Sequence, residues 1–289
     1  MPRTGAFQEF ALDVSRFGTV RTAGVKGAQS QASSAWWNTP LESLIPDSLG
    51  IAWAIGLVAA AFITAAISAA FGIGGGVAML AVLLAILPPA VVLPIHGVVQ
   101  AGSNAGRLVA LRRSVQTSML AWFTAGTLIG VIVASLVLVA LPTPVLQIIL
   151  GLFILWTVWG PKLGAHAISD RAFLLVGAGA SFCTMFVGST GPMVAAFWDV
   201  KRMGKLGVVA THSACMVVQH ATKVVAFGVL GFAFAEWLAM IIAMLVAGQF
   251  GTLAGARLLR ALPDRFFEVA FKLILTGLAL RLLWSAVVA

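Results

Sequence analysis

The residues of this chain best placed to do chemistry are polar side chains set at helical intervals inside otherwise apolar stretches. His96, Gln100, Asn104 and Arg107 stand at i, i+4, i+8 and i+11, which puts them on one face of a helix. A second stripe reads His212, Met216, Gln219 or His220, and Lys223. Each stripe holds one cation. Groups of this kind are costly inside a membrane span and normally face a bundle interior or a wet cavity. Arg107 and Lys223 are therefore candidates to hold a negatively charged substrate or to pair at a gate; the alternative for both is snorkelling to a membrane boundary. His96 and His212 are candidate binding residues, the alternative being hydrogen-bonded packing. An imidazole can change charge near neutral pH, so His212 and above all His220, beside Gln219, are candidates for carrying a coupling proton.

Two glycine-rich breaks supply the other chemistry. Gly72-Ile-Gly-Gly-Gly76 and Gly188-Ser-Thr-Gly-Pro192 each stop a helix ahead of a segment too short to cross a bilayer, 76–88 and 191–198. Unwound backbone and the positive end of a short helix attract an anion. Gly74, Gly75 and Gly76, and then Ser189, Thr190 and Gly191, are the expected donors. The competing reading of these glycines is close helix packing. Other chemistries have no support. No paired carboxylates and no nucleophile with an activating base stand out, so no catalytic residue and no enzyme activity are expected. Cys183 and Cys215 lie apart in apolar stretches without metal-ligand spacing, so neither a metal, a cofactor nor a disulfide is expected. The scarcity of acids in the spans argues against a cation carrier.

These residues must be positioned by membrane-spanning helices. Of 289 residues, 61% are hydrophobic and 9% charged, against about a quarter charged in soluble domains. Runs such as Ile51–Phe71 and Leu120–Leu141 reach the ~20 residues of a span. The segments expected are about 51–70, 76–88, 93–111, 117–140, 143–159, 172–187, 191–198, 206–230, 236–257 and 266–286, all helical, in an all-α polytopic integral membrane protein. Residues 1–50 form a neutral polar tail, with Trp36 and Trp37 at an interface and no pattern of a cleavable signal peptide. The net charge of +9 comes from the remainder, much of it in short connections: Arg112 and Arg113; Lys201, Arg202 and Lys205; Arg257, Arg260 and Arg265. Nucleic-acid binding would need a basic face on a soluble domain and is not expected.

The order of features repeats. Gly76 aligns with Gly191 and His96 with His212; Asn104 then matches His220 and Arg107 matches Lys223. Gly130 matches Gly251, and Ala140-Leu141-Pro142 matches Ala261-Leu262-Pro263. Two repeats, 51–160 and 171–289, follow. If each glycine break closes a re-entrant hairpin, the basic connections 112–117, 160–171, 199–205 and 257–265 all lie on the cytoplasmic side. Connections 141–142 and 231–236, and the tail, lie outside. Each half then crosses an odd number of times, so the second repeat is inverted, as in carriers whose broken helices meet near the midplane. Near the start of the last helix, Glu268 and Lys272 have ion-pair spacing, and Asp199 is expected to balance Lys201 and Arg202.

Phe71-Gly-Ile-Gly-Gly-Gly-Val77 ahead of a His/Asn/Arg helix, with its echo at Gly188–Pro192, resembles the TauE/SafE family of sulfite exporters, also called the toluene sulfonate uptake permease family. The resemblance covers roughly residues 51–289. It implies two four-segment halves, a glycine-rich motif in each, and transport of sulfite, thiosulfate, sulfoacetate, another sulfonate or other small organic anions. The second motif departs from the family pattern at Ser189 and Thr190, which stand where glycines are usual and offer hydroxyl contacts to an oxyanion. The expectation is a secondary transporter of small sulfur-containing anions, in the export direction, working by alternating access in a bacterial inner membrane. The alternative is an anion channel or a permease for carboxylates. The expected partners are the anion, the lipid bilayer, a proton as candidate coupling ion and, as a further candidate, a second copy of the chain.

Overall fold

A computed structural model describes residues 45–46, 49–71, 75–138, 142–160, 168–258 and 264–288. The expectations for the N-terminal tail with Trp36 and Trp37, for Gly72 and Gly74, and for the Leu-Pro turns through Leu141 and at Leu262-Pro263 lie outside these residues, as do Arg260 and the side chains of Lys205, Arg257, Arg265 and Glu268. Every described element is helical: α1 Ile51–Phe71, α2 Gly75–Ile86, α3 Pro89–Leu111, α4 Thr117–Leu138, α5 Thr143–Trp159, α6 Phe173–Val187, α7 Gly191–Ala195, α8 Val200–Val229, α9 Leu238–Leu258 and α10 Asp264–Val288. Among the described residues, four stretches are long and apolar enough to span a bilayer: Ile51–Ala69, Thr117–Leu138, Asp170–Val187 and Phe234–Gly255. Their outer faces carry large apolar side chains with no protein cover. Leu136 is 77% exposed and Leu175 72%, a surface that water would not tolerate and lipid does. The protein is a multi-pass membrane protein.

Helix boundaries follow local chemistry. Pro88 and Pro89 open α3, since a proline at the first helical position lacks only an N–H that would be orphaned anyway. The helix therefore begins at Pro89 rather than at 93. The main run of α8 starts close to the 206 expected from sequence; Gly204 (φ 69°, ψ 163°) separates it from a short opening turn at Val200. The Asp199 carboxylate caps that turn by accepting from the backbone N–H groups of Lys201 (3.0 Å) and Arg202 (3.1 Å). Asp199 is thus a cap rather than a counter-charge for those side chains. The partner of Arg202 is Asp170, at 2.9 Å. That ion pair joins the residue ahead of α6 to the start of α8. The chain between them runs inward along α6, turns at Gly188 (φ 78°), and returns through the five-residue α7. Nearby, the backbone N–H of Gln116 donates to Thr211 Oγ1 at 3.0 Å, bringing the start of α4 to the same end.

Packing pairs the helices in a pattern that is unchanged when the two halves are exchanged. α1 lies along α9, and α4 along α6; α3 packs on α8, and α5 on α10. At Gly130 of α4, a Cβ would strike the carbonyl of Ala178 in α6. At Gly251 of α9, one would strike the carbonyl of Phe62 in α1. In the register that aligns His96 with His212, Phe62 and Ala178 are equivalent positions. The glycines of these interfaces thus serve close packing, one mirrored contact in each half. α3 and α8, the helices that carry the polar stripes, cross at the centre.

Candidate functional site

The site is assembled where the N-terminal ends of α2 and α7 meet the polar faces of α3 and α8. Gly76 is its hub. Its carbonyl lies 2.8 Å from His96 Nε2; a carbonyl only accepts, so Nε2 carries the hydrogen. A Cβ at Gly76 would sit 3.1 Å from Gln100 Oε1 and 3.2 Å from Ser189 Oγ, so both side chains crowd the glycine from opposite halves. Asn104 donates through Nδ2 to the Gln100 carbonyl (2.8 Å) and accepts at Oδ1 from Arg107 Nη2 (2.9 Å). Arg107 Nη1 reaches Ser68 Oγ at 3.5 Å. Its Nε is buried and unpartnered.

On the facing helix, Trp198 Nε1 donates to His212 Nδ1 at 3.0 Å. Trp198 is itself held by stacking on Phe173, with ring centroids 4.9 Å apart and planes 18° from parallel. With Nδ1 accepting, the neutral His212 ring carries its hydrogen on Nε2. That atom lies 3.6 Å from where a Cβ of Gly191 would be. His212 thereby presents a donor beside the start of α7, mirroring His96 beside the start of α2.

Between these groups lies a cavity of ≈ 40 Å³, space for a few waters at about 10–15 Å³ each. It brings together Gly76, Gln100, Asn104, Arg107, Ser189, Gly191, His212 and His220 of the residues expected from sequence. It adds Ser68, Val77, Pro192 and Met216. Ser68 was missed, although it stands one helical turn before the first glycine break. Met216 stood in the second stripe but offered no polar group. Trp198 was missed because it comes from an aperiodic turn.

Five of the described residues expected from sequence lie outside this cavity. His96 is wholly buried behind Gly76, with its ring edge-on to His220 at a centroid distance of 5.8 Å. The Nδ1 atoms of both rings are buried without a partner. Lys223, also wholly buried, donates to the Gly188 carbonyl at 3.1 Å. Thr184 Oγ1 donates to the same carbonyl at 3.1 Å, so two side chains hold the break. Thr190 and Gln219 belong to a separate buried network. Thr190 Oγ1 donates to Gln219 Oε1 (3.2 Å), Gln219 Nε2 to Ser181 Oγ (3.2 Å) and Ser181 Oγ to Thr127 Oγ1 (2.9 Å). Gly75 borders a smaller cavity beside the first. Among the described residues no group of His, Cys, Asp and Glu is arranged to hold a metal ion. No Asp or Glu occurs in the sequence of α1 through α9.

A helical, multi-pass membrane protein with a small donor-lined cavity between two glycine-broken helices belongs to the class of solute transporters. The sulfite exporter TauE/SafE family matches residues 57–282, and the chain belongs to that family of membrane transporters. Comparison with curated proteins and with solved structures gave no match.

Proposed function

We propose that the protein is a secondary transporter that exports small sulfur-containing anions, sulfite or an organosulfonate, across a bacterial inner membrane. The observation that carries the reading is Arg107. Its guanidinium lines the cavity with a buried, unpartnered Nε, and no carboxylate occurs in the sequence of the surrounding helices. A half-buried cation without a carboxylate is stabilised by an anionic ligand, and the anion is the substrate. His212 Nε2–H, Ser189, Gln100 and the backbone at Gly76 and Gly191 are its further donors. The cavity is far below the ~300 Å³ of sites for drug-sized ligands, which favours an ion the size of sulfite.

Residues 51–160 and 171–289 act as two inverted repeats that alternate access by moving around this cavity. The exchangeable helix pairing, the mirrored contacts of Gly130 and Gly251, and the return of the chain from Asp170 to Arg202 support this. His220, which lines the cavity, is the candidate carrier of a coupling proton. The test is current from purified protein on a solid-supported membrane, screened over sulfite, thiosulfate, sulfoacetate and acetate at two pH gradients. Sulfite or a sulfonate should give saturable currents that depend on the gradient. Arg107→Gln should lower them at least tenfold while the protein stays monodisperse. Undiminished currents in Arg107→Gln would remove that residue from the site, and a preference for acetate would replace the sulfur-anion assignment.

A further inference from the structure

The smaller cavity next to the main one lies between α1, α3 and α9 and has room for about one water (≈ 10 Å³). It shares Ser68, Gly76 and Gln100 with the main cavity, so the two are adjoining compartments with the Gln100 side chain at their boundary. Small residues line this space, Ala65, Gly75, Ser103 and Gly248 among them; at Gly75 a Cβ would strike the Thr64 carbonyl of α1.

In the other half the corresponding positions are filled. In the registers set by His96–His212, Gly76–Gly191 and Gly130–Gly251, the equivalents of those four residues are Ser181, Thr190, Gln219 and Thr127. These are the members of the buried hydrogen-bonded network described above, and each is 0% exposed. Each of these four positions, small in one half, carries a larger polar side chain in the other. Those side chains bond to one another in a chain that ends at Thr190 Oγ1, whose one hydrogen is shared between Gln219 Oε1 and the Ala180 carbonyl at 3.1 Å. Packing alone between α4, α6 and α8 would be served by apolar residues of the same size, because hydrocarbon-like cores gain little from neutral hydrogen bonds. Hydroxyls and an amide are what a passage needs if it must be wetted in one state and closed in another, since the same groups bond to one another when shut and to water when open.

We propose that the α1/α3/α9 compartment is an access passage for the hydrated anion, and that the Thr127–Ser181–Thr190–Gln219 network is the closed form of the matching passage in the second repeat. The proposal rests on the inverted-repeat reading. Inversion places the two passages on opposite faces of the membrane. In this arrangement the first passage, with room for about one water, is the looser of the two, and the second is latched.

Thiol accessibility in oriented vesicles tests this without needing a known substrate. In a Cys183→Ala/Cys215→Ala background, Ser103→Cys should react with a membrane-impermeant thiol reagent from one face only. Gln219→Cys should react at least tenfold more slowly from either face. Adding Thr127→Ala and Ser181→Ala should raise labelling of Gln219→Cys at least tenfold, from the face opposite to that of Ser103→Cys. Should the double substitution prevent folding, Gly248→Thr, which installs the second half's residue in the looser passage, should cut labelling of Ser103→Cys at least tenfold. Labelling of both positions from the same face, or no change on Thr127→Ala/Ser181→Ala or Gly248→Thr, overturns the proposal. Loss of the transport reading has a different signature: no sulfite or sulfonate current from the unmodified protein, whatever the labelling pattern.

Discussion

At the scale of single residues, the two cations illustrate how spacing and position differ. Arg107 and Lys223 each stand 11 residues after the histidine of their stripe, yet one faces the cavity and the other is sealed against Gly188. Helical period assigns a residue to a face; it does not say how deep along the crossing of two helices the side chain ends. Lys223 is then a positioning residue. Burying an ammonium group costs several kcal/mol even after relaxation, and the described contacts return one bond to a carbonyl. Lys223→Met keeps most of the volume and removes the charge, so the purified protein should unfold at an equal or higher temperature in detergent. Freed from Lys223, the break at Gly188 should lose its set position, and sulfite current should fall at least tenfold. Wild-type current in Lys223→Met would reduce the bond to packing. Trp198→Phe tests the opposite situation, a neutral hydrogen bond that aims a ligand group. It removes the donor to His212 Nδ1 while keeping a ring to stack on Phe173. A lost bond of this kind is worth about 0.5–1.5 kcal/mol, so the apparent KM for the anion should rise roughly two- to twelvefold with the maximal current little changed. An unaltered KM would mean that His212 is aimed by something other than Trp198.

At the scale of elements, the apolar runs and glycine breaks made the helices legible, because hydrocarbon leaves a chain few alternatives to helix. The two stripes identified the central pair of helices for the same reason: polar groups in a span must turn inward. Starts of helices were less legible. Pro89 extends α3 beyond the periodic pattern that the sequence displays, and the Asp199 cap opens a short turn that the break at Gly204 separates from the rest of α8. Eight of the expected site residues meet in one cavity, since α3 and α8 pack with their polar faces toward the starts of α2 and α7. The role of Gln219 and Thr190 was hidden, because nothing in one repeat alone says whether a polar side chain faces a cavity or another polar side chain. The mirrored glycines give this scale its prediction. Gly130→Val would press on the Ala178 carbonyl and Gly251→Val on that of Phe62. Backbone cannot step aside as a side chain can, so each should cost on the order of 1–3 kcal/mol or more and lower the melting temperature by similar amounts. A large loss from one and none from the other would show that the two interfaces are not equivalent.

At the scale of the whole molecule, charge and packing agree on one arrangement. The Asp170–Arg202 ion pair and the bond from Gln116 to Thr211 gather the start of α4, the start of α6 and the start of α8 at one end of the bundle. Arg112, Arg113, Lys201 and Arg202 are exposed there. A cluster of exposed cations at one end is what fixes the orientation of a short-looped membrane protein, so this end should face the cytoplasm. The connection near Glu236 joins the far ends of α8 and α9 and should face the opposite compartment. Protease sites inserted after Arg113, after Lys201 and after Ala235 separate the cases. In inside-out vesicles the first two should be cut and the third protected, and right-side-out vesicles should reverse the pattern. Cleavage after Arg113 and after Lys201 from opposite faces would break the hairpin through α6 and α7, and with it the inversion on which a two-faced carrier depends.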